Sequence, residues 1–195
     1  HYKDQIKQTL LNDEIFYIFA DNKLIVLFLF KSGIINISEE IYNVLLNKVE
    51  LNGNRYCHFF YPELEQFKGE EEMKPIKEEL LTHNPTAFND FESKRQRGEN
   101  DSYVCSLIQQ DLVKEFITYM NRYNISVNSE INPSIFETNP FLFENKNTTL
   151  IEYSAFFGSI QIFRYLLINN AKLTPSLWLY TIHSNNAELI HLLET

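Results

Sequence analysis

Between Leu150 and Leu193 the sequence lays down one plan twice. An apolar stretch with helical spacing, a turn residue and a second apolar stretch run from Leu150 to Leu167, and again from Leu177 to Leu193. In the first copy, small Ser154 and Ala155 let two helices approach closely, and Gly158 permits a tight turn between them. Ile162/Phe163 and Leu166/Leu167 lie four apart, which places them on one buried helix face. Asn185 takes the place of Gly158 after an interval of 27 residues. Helix–turn–helix units in tandem bury their apolar faces by stacking, each unit covering its neighbour.

The rest of the chain extends this helical reading. Its 195 residues are 44% hydrophobic, enough for one or two domains with a real core. Folds built from strands need many tight turns, which consume Gly and Pro, and the chain has 5 Gly and 6 Pro against 16 Phe and 11 Tyr. Helical spacing runs over Asp4–Phe19. Ser38 is a good N-cap for a helix with Ile41, Val44 and Leu45 inward. The aromatic run Tyr56–Pro62 reads as a short buried helix ending before the proline. Asn84-Pro85 can start a helix through Ala87, Phe88 and Phe91. Lys94-Arg95-Gln96-Arg97-Gly98 reads as a helix end passing into a linker, which divides the chain into residues 1–97 and 98–195. Tyr103–Ile108 with Leu112–Met120 makes a further helix pair, followed by a loop-rich insertion at 121–148. The fold class is all-α.

Thr149-Leu150-Ile151-Glu152-Tyr153-Ser154-Ala155-Phe156-Phe157-Gly158-Ser159 resembles the first helix of an ankyrin repeat, T-P-L-H-x-A-A-x-x-G-H. Ile160–Leu167 resembles the second helix, with Asn169-Asn170-Ala171 at its x-G-A position. Leu150 replaces the family's Pro, and Glu152 its His. In the family that His knits neighbouring repeats through hydrogen bonds, so the resemblance implies that inter-repeat order here rests more on apolar packing. Thr181–Leu193 resembles the next repeat. The 27-residue interval falls short of the ankyrin period of about 33, leaving 171–176 too few residues for the joining β-hairpin. Tyr103–Ile117 is weakly similar to Tyr153–Leu167 at an offset of 50. Lys23–Ile34 fits a second ankyrin helix in the first half. The Tyr-Cys-His-Phe-Phe-Tyr-Pro-Glu run at 56–63 is similar to an uncharacterised domain that precedes ankyrin arrays in parasitic-protist proteins. The resemblance implies an ankyrin-like helical-repeat solenoid with shortened or missing β-hairpins. Its expected role is a non-catalytic scaffold that binds another protein. The family's variable positions on the concave surface fall on Phe156 and Phe157, and in the next repeat on His183 and Ser184; two exposed Phe side by side would mark an interface. The bland alternative is that the 121–148 segment covers them.

Other chemistries find little support. A formal net charge of −9 repels phosphate backbones and anionic membranes, so neither is an expected partner. The apolar run Leu24–Phe30 is far shorter than the ~20 residues that span a bilayer and reads as a fully buried helix bracketed by Lys23 and Lys31. Cys57 and Cys105 lie far apart and read as buried reduced thiols, which makes a cytoplasmic protein the default. Cys57 and His58, with Tyr61 and Glu63 nearby, could be a nucleophile and base or metal ligands. Adjacent residues diverge, however, and a structural His58 among aromatics is the simpler reading. Glu70-Glu71-Glu72 reads as a solvated face, Lys94/Arg95/Arg97 as charge balance, and His183 with His191 as surface histidines. No catalytic, cofactor or metal residue is assigned. The rival readings are a small enzyme, in which His58 would meet a carboxylate from a distant segment in a cleft, and a purely structural cap for a repeat array.

The pattern stops at Leu192-Leu193-Glu194-Thr195, before the turn that should close the repeat. The expectation is an open apolar face including some of Leu189, Ile190, Leu192 and Leu193, covered by further repeats or by self-association. The alternative is a last helix packed wholly on the preceding repeat.

Overall fold

The computed structural model describes residues 10–50, 53–143 and 148–194. Among these the chain is helical, with no strand; its β pairing is limited to isolated antiparallel bridges, Val49–Arg55 and Glu130–Thr149. Residues 171–176 carry no β pairing. Two compact units divide the chain: His1–Glu99 with Ile135–Glu144, and Asn100–Ser134 with Asn145–Thr195.

The first cut falls two residues from the sequence boundary, but the 121–148 insertion does not stay with one unit. Phe136 is buried edge-on against Phe91, with ring centroids 5.2 Å apart. Thr138 donates from its backbone N–H (3.0 Å) and its hydroxyl (2.8 Å) to the Gly98 carbonyl. Gly98 sits at φ +68°, and a Cβ there would meet Thr138 Oγ1 at 2.5 Å. Only glycine allows this docking.

In the first unit, α1 (Asn12–Phe19), α2 (Lys23–Lys31) and α3 (Glu39–Asn47) share one core with α4 (Tyr56–Phe59), α5 (Tyr61–Lys68) and α6 (Glu70–His83). Ser38 caps α3, accepting the Ile41 N–H at 3.2 Å. The apolar run forms α2, but not as a fully buried helix: Val26, Leu27 and Leu29 face inward while Ile25 and Phe28 are exposed. Lys23, expected at its rim, is instead buried, with Nζ 2.6 Å from Glu50. The aromatic run is helical up to Phe59, and Pro62 then sits in the first turn of α5, where its missing N–H costs nothing. The acidic run Glu70–Glu72 is the first turn of α6, a position where the helix dipole favours negative charge. The helix expected from Pro85 begins only at Phe91, as α7 (Phe91–Arg97); residues 85–90 are turns. The short α10 (Pro140–Phe143) also belongs to this unit.

The second unit holds three helix pairs: α8 (Tyr103–Gln109) with α9 (Val113–Arg122), α11 (Leu150–Phe156) with α12 (Ile160–Ile168), and α13 (Leu177–Ser184) with α14 (Ala187–Glu194). The first helices pack in series, α8 on α11 and α11 on α13, and α9 packs on α12. Within each pair the turn passes through a left-handed residue: Asp111, Gly158 or Asn185. The first two pairs also leave in the same way. Asn124 and Asn170 take positive φ, and the next N–H reaches back to Met120 O (2.9 Å) and Leu166 O (3.0 Å), the closure that satisfies a helix's last carbonyls. Matching N-caps, Ser102 and Thr149, and matching turns, Asp111 and Gly158, set the offset of these pairs at 47 residues rather than 50. The sequence similarity of Tyr103 to Tyr153 had shifted the register by about one helical turn.

Candidate interaction surface

The junction between α11 and the following pair is built on Glu152. Thr149 caps α11, and its N–H and hydroxyl both donate to Glu152 Oε2 at 2.8 Å. The hydroxyls of Thr174 and Ser176, which lead into α13, donate to Oε1 at 2.5 and 2.6 Å. Burial pushes the carboxyl pKa up, but the hydrogen bonds from Ser176, Thr174 and Thr149 outweigh it and hold the group below the ordinary value. The expectation that replacing His by Glu leaves apolar packing to order the repeats is therefore corrected: Glu152 is itself a polar link across the junction. The earlier junction has its own links. Asp111 accepts the N–H groups of Gln161 (3.1 Å) and Ile162 (3.0 Å) at the start of α12, and the Ser159 hydroxyl donates to Ile108 O at 2.5 Å.

The four residues singled out by the resemblance come together, but not as a free aromatic pair. Phe156 is buried at 7% exposure. His183 stacks on it at 4.0 Å and 15°, and Tyr180 meets it edge-on at 6.5 Å. Tyr180 and His183 of α13, the first helix of the next pair, thus cover part of this ring. Phe157 is half-buried against Tyr153 at 4.8 Å. His183 is exposed, and half-buried Ser184 donates its hydroxyl to Thr181 O at 2.8 Å.

A more continuous surface lies one helix further on. Positions 27 residues apart in the last two pairs fall into two sets. Leu150/Leu177, Tyr153/Tyr180, Ser154/Thr181 and Ile162/Leu189 are buried in both pairs; they hold each pair together. Ile151, Glu152 and Ala155 are 1%, 4% and 0% exposed under α13, whereas their counterparts Trp178, Leu179 and Ile182 are 40%, 57% and 62% exposed. Buried Phe163 and Leu166 likewise correspond to half-buried Ile190 and Leu193. The second set traces one face, because residues three and four apart on a helix are neighbours. On α11 that face carries the next pair; on α13 it meets solvent. Sequence reasoning placed the open surface on α14 and missed Trp178, Leu179 and Ile182. The 27-residue interval held the signal, since it maps them onto the core positions of α11.

The Cys57–His58 region is a packed core site. Cys57 is buried, and burial pushes its thiol up to about 11, which keeps it protonated and poorly nucleophilic. His58 Nε2 stands 3.4 Å from Glu79 Oε1, a carboxylate from α6 that also pairs with Arg55. Burial lowers the His58 pKa against the opposing pull of Glu79. Glu63 is taken elsewhere: it receives a two-pronged bond from Arg95, at 2.6 and 2.9 Å. Arg95 is itself 1% exposed and also donates to Phe59 O at 3.1 Å. The basic cluster at 94–97 is therefore no free cationic patch, because its central residue is an internal anchor.

Compared with known protein families, curated proteins and solved structures, the chain matches none. Among the described residues no helix is long and apolar enough to cross a membrane, and no group of three or more His, Cys, Asp and Glu is placed to hold a metal ion.

Proposed function

We propose that this chain is a non-catalytic, ankyrin-type helical-repeat scaffold that binds another protein through the outer face of α13. The observation that carries the reading is the 27-residue correspondence. Side chains that are core in α11 recur as exposed, larger apolar side chains in α13. Trp178, Leu179 and Ile182 together make an exposed apolar patch, the character of an interface. The protonated, buried Cys57 weighs against the enzyme reading. Nucleic acid and membrane surfaces are excluded from the proposal on the net charge of −9. Two buried free thiols favour a cytoplasmic setting.

The test is comparative recovery of binding proteins by the whole chain and by its L179E/I182E variant. Proteins retained by the first and lost by the second support the reading; identical recovery, or none, removes it. Deleting residues 1–97 would be a poor substitute, because it strips buried Phe136 of its Phe91 partner.

A further inference from the structure

We propose that the groove along α8 and α9 is a separate docking site, and that its occupant is a proline-rich peptide segment carrying two acidic side chains. The proposal is independent of the α13 face.

The groove is built from two rows on α9 and one ring from α8. Lys114 and Arg122 lie on one line of α9, because every fourth residue of a helix shares a face. Glu115, Tyr119 and Tyr123 make the neighbouring row, and Tyr103 of α8 completes it. The rings form a ladder: Tyr103 meets Tyr119 edge-on at 5.1 Å, and Tyr119 meets Tyr123 tilted at 4.7 Å. Tyr103 and Tyr123 are each 57% exposed. The Arg122 guanidinium lies 5.6 Å from the Tyr123 ring centroid, a contact that holds the cation at the end of the ladder. These residues line a cleft of about 620 Å³, within the size range of binding sites.

Complementarity names the occupant. Acidic residues outnumber basic ones 26 to 17, and Lys48, Lys68 and Arg164 each pair with a carboxylate. Lys114 and Arg122 have no such partner among the described residues, and neither do the three phenol hydroxyls have a hydrogen-bond partner there. Glu115 is the one carboxylate lining the cleft. The groove is therefore rich in donors and poor in acceptors, and it suits a ligand of the opposite kind. Proline has no N–H to satisfy, and the polyproline II helix leaves its carbonyls without internal partners. Its rings also pack on aromatic grooves. An extended strand would bring N–H groups that a sheet edge satisfies, and no strand is present among the described residues. A helical ligand would spend its carbonyls on its own hydrogen bonds. The step from Lys114 to Arg122 covers about 12 Å of helix axis. Polyproline II rises about 3.1 Å per residue, so acids about four residues apart in the ligand reach both cations. A nucleic-acid strand, with a phosphate at every unit, meets the net charge of −9 far more unfavourably than two carboxylates do.

Nuclear magnetic resonance titration of the isotope-labelled full chain tests this. The probe is a Glu-Pro-Pro-Pro-Glu peptide with Gly-Ser flanks. It should give saturable shifts centred on Tyr103 and on residues 114–123. Lys-Pro-Pro-Pro-Lys and Glu-Ala-Ala-Ala-Glu peptides should bind at least about tenfold more weakly, and Y119A should lose the acidic peptide by a similar factor. The K114E/R122E variant should reverse the preference and take the Lys peptide, a gain that separates altered recognition from a misfolded chain. L179E/I182E should titrate as the parent does, so failure at either face leaves the other standing. Absence of saturable shifts, shifts centred elsewhere, equal binding of the three peptides, an unaffected Y119A or no reversal in K114E/R122E overturns the proposal. So does an oligouridylate strand that shifts these residues where the acidic peptide does not.

Discussion

The two units solve the problem of burying a helix face in different ways. The first gathers α1 to α6 on a shared core and takes charge inside: Lys23 is paired with Glu50, and Arg95 grips Glu63 with both guanidinium nitrogens. It is completed by a segment far along the chain, 135–144, docked on Gly98 and Phe91. The second repeats one junction, helix pair on helix pair, and keeps its polar links at the helix starts and turns, at Asp111, Ser159 and Glu152. A unique core has no designated next neighbour. A repeated junction specifies one, and in α13 that position is apolar and exposed.

The comparison breaks first if the buried charges of the first unit are dispensable. Removing one partner of a buried ion pair leaves the other uncompensated, so Arg95→Ala should cost about 3–5 kcal/mol. Chemical denaturation measures the loss, and hydrogen exchange should localise it to α5 and α7. A cost under about 1 kcal/mol would make the Arg95–Glu63 grip incidental. Within the second unit, equivalent substitutions test whether burial follows position in the array. Phe163→Ala should cost about 3–5 kcal/mol. Ile190→Ala, 27 residues later and half-buried, should cost well under half of that in the monomer. Equal costs would mean that the last pair is no more open than the one before.

Smaller in size, but specific to the junction, is the response of Glu152. Hydrogen bonds to a charged group are worth about 1.5–3 kcal/mol, so Glu152→Gln should destabilise the second unit by that order. Its folded-state pKa lies below the ordinary value of 4.5. The carboxylate's contribution is therefore complete at neutral pH and fades as the pH falls from about 4.5 through the folded-state value. Melting curves should converge for the parent and the variant in that window, and a pH-independent difference would contradict the assignment. The smallest effect is expected at Leu179. As an exposed side chain, its change to Glu should alter monomer stability by no more than about 0.5 kcal/mol. A large loss would mean that α13 has no free face.

Local signals carried much of this fold. Apolar spacing and scarce Gly and Pro marked it as helical, and the cap Ser38 is where side-chain chemistry placed it. The spacing also separated the last pairs by 27 residues with no hairpin between them. Such features depend on hydrogen bonds and neighbours within a few residues, so a short window contains the whole cause. Helix α6 was missed because the acidic run Glu70–Glu72 was read only as a solvated face, although the first turn of a helix welcomes negative charge.

Long-range partners could not be read in that way. That Lys23 is buried rather than a rim charge depends on Glu50, and that Arg95 is an anchor rather than a surface cation depends on Glu63, 32 residues away. Nothing in the sequence near Phe136 says that it belongs to a core built mainly from residues before 100. The identity of the open face shows both sides at once. The sequence by itself fixed the repeat interval and the apolar character of Trp178, Leu179 and Ile182. Only the tertiary structure decided that α11's equivalent face is covered and α13's is not, because burial belongs to the neighbour that arrives rather than to the residue that waits for it.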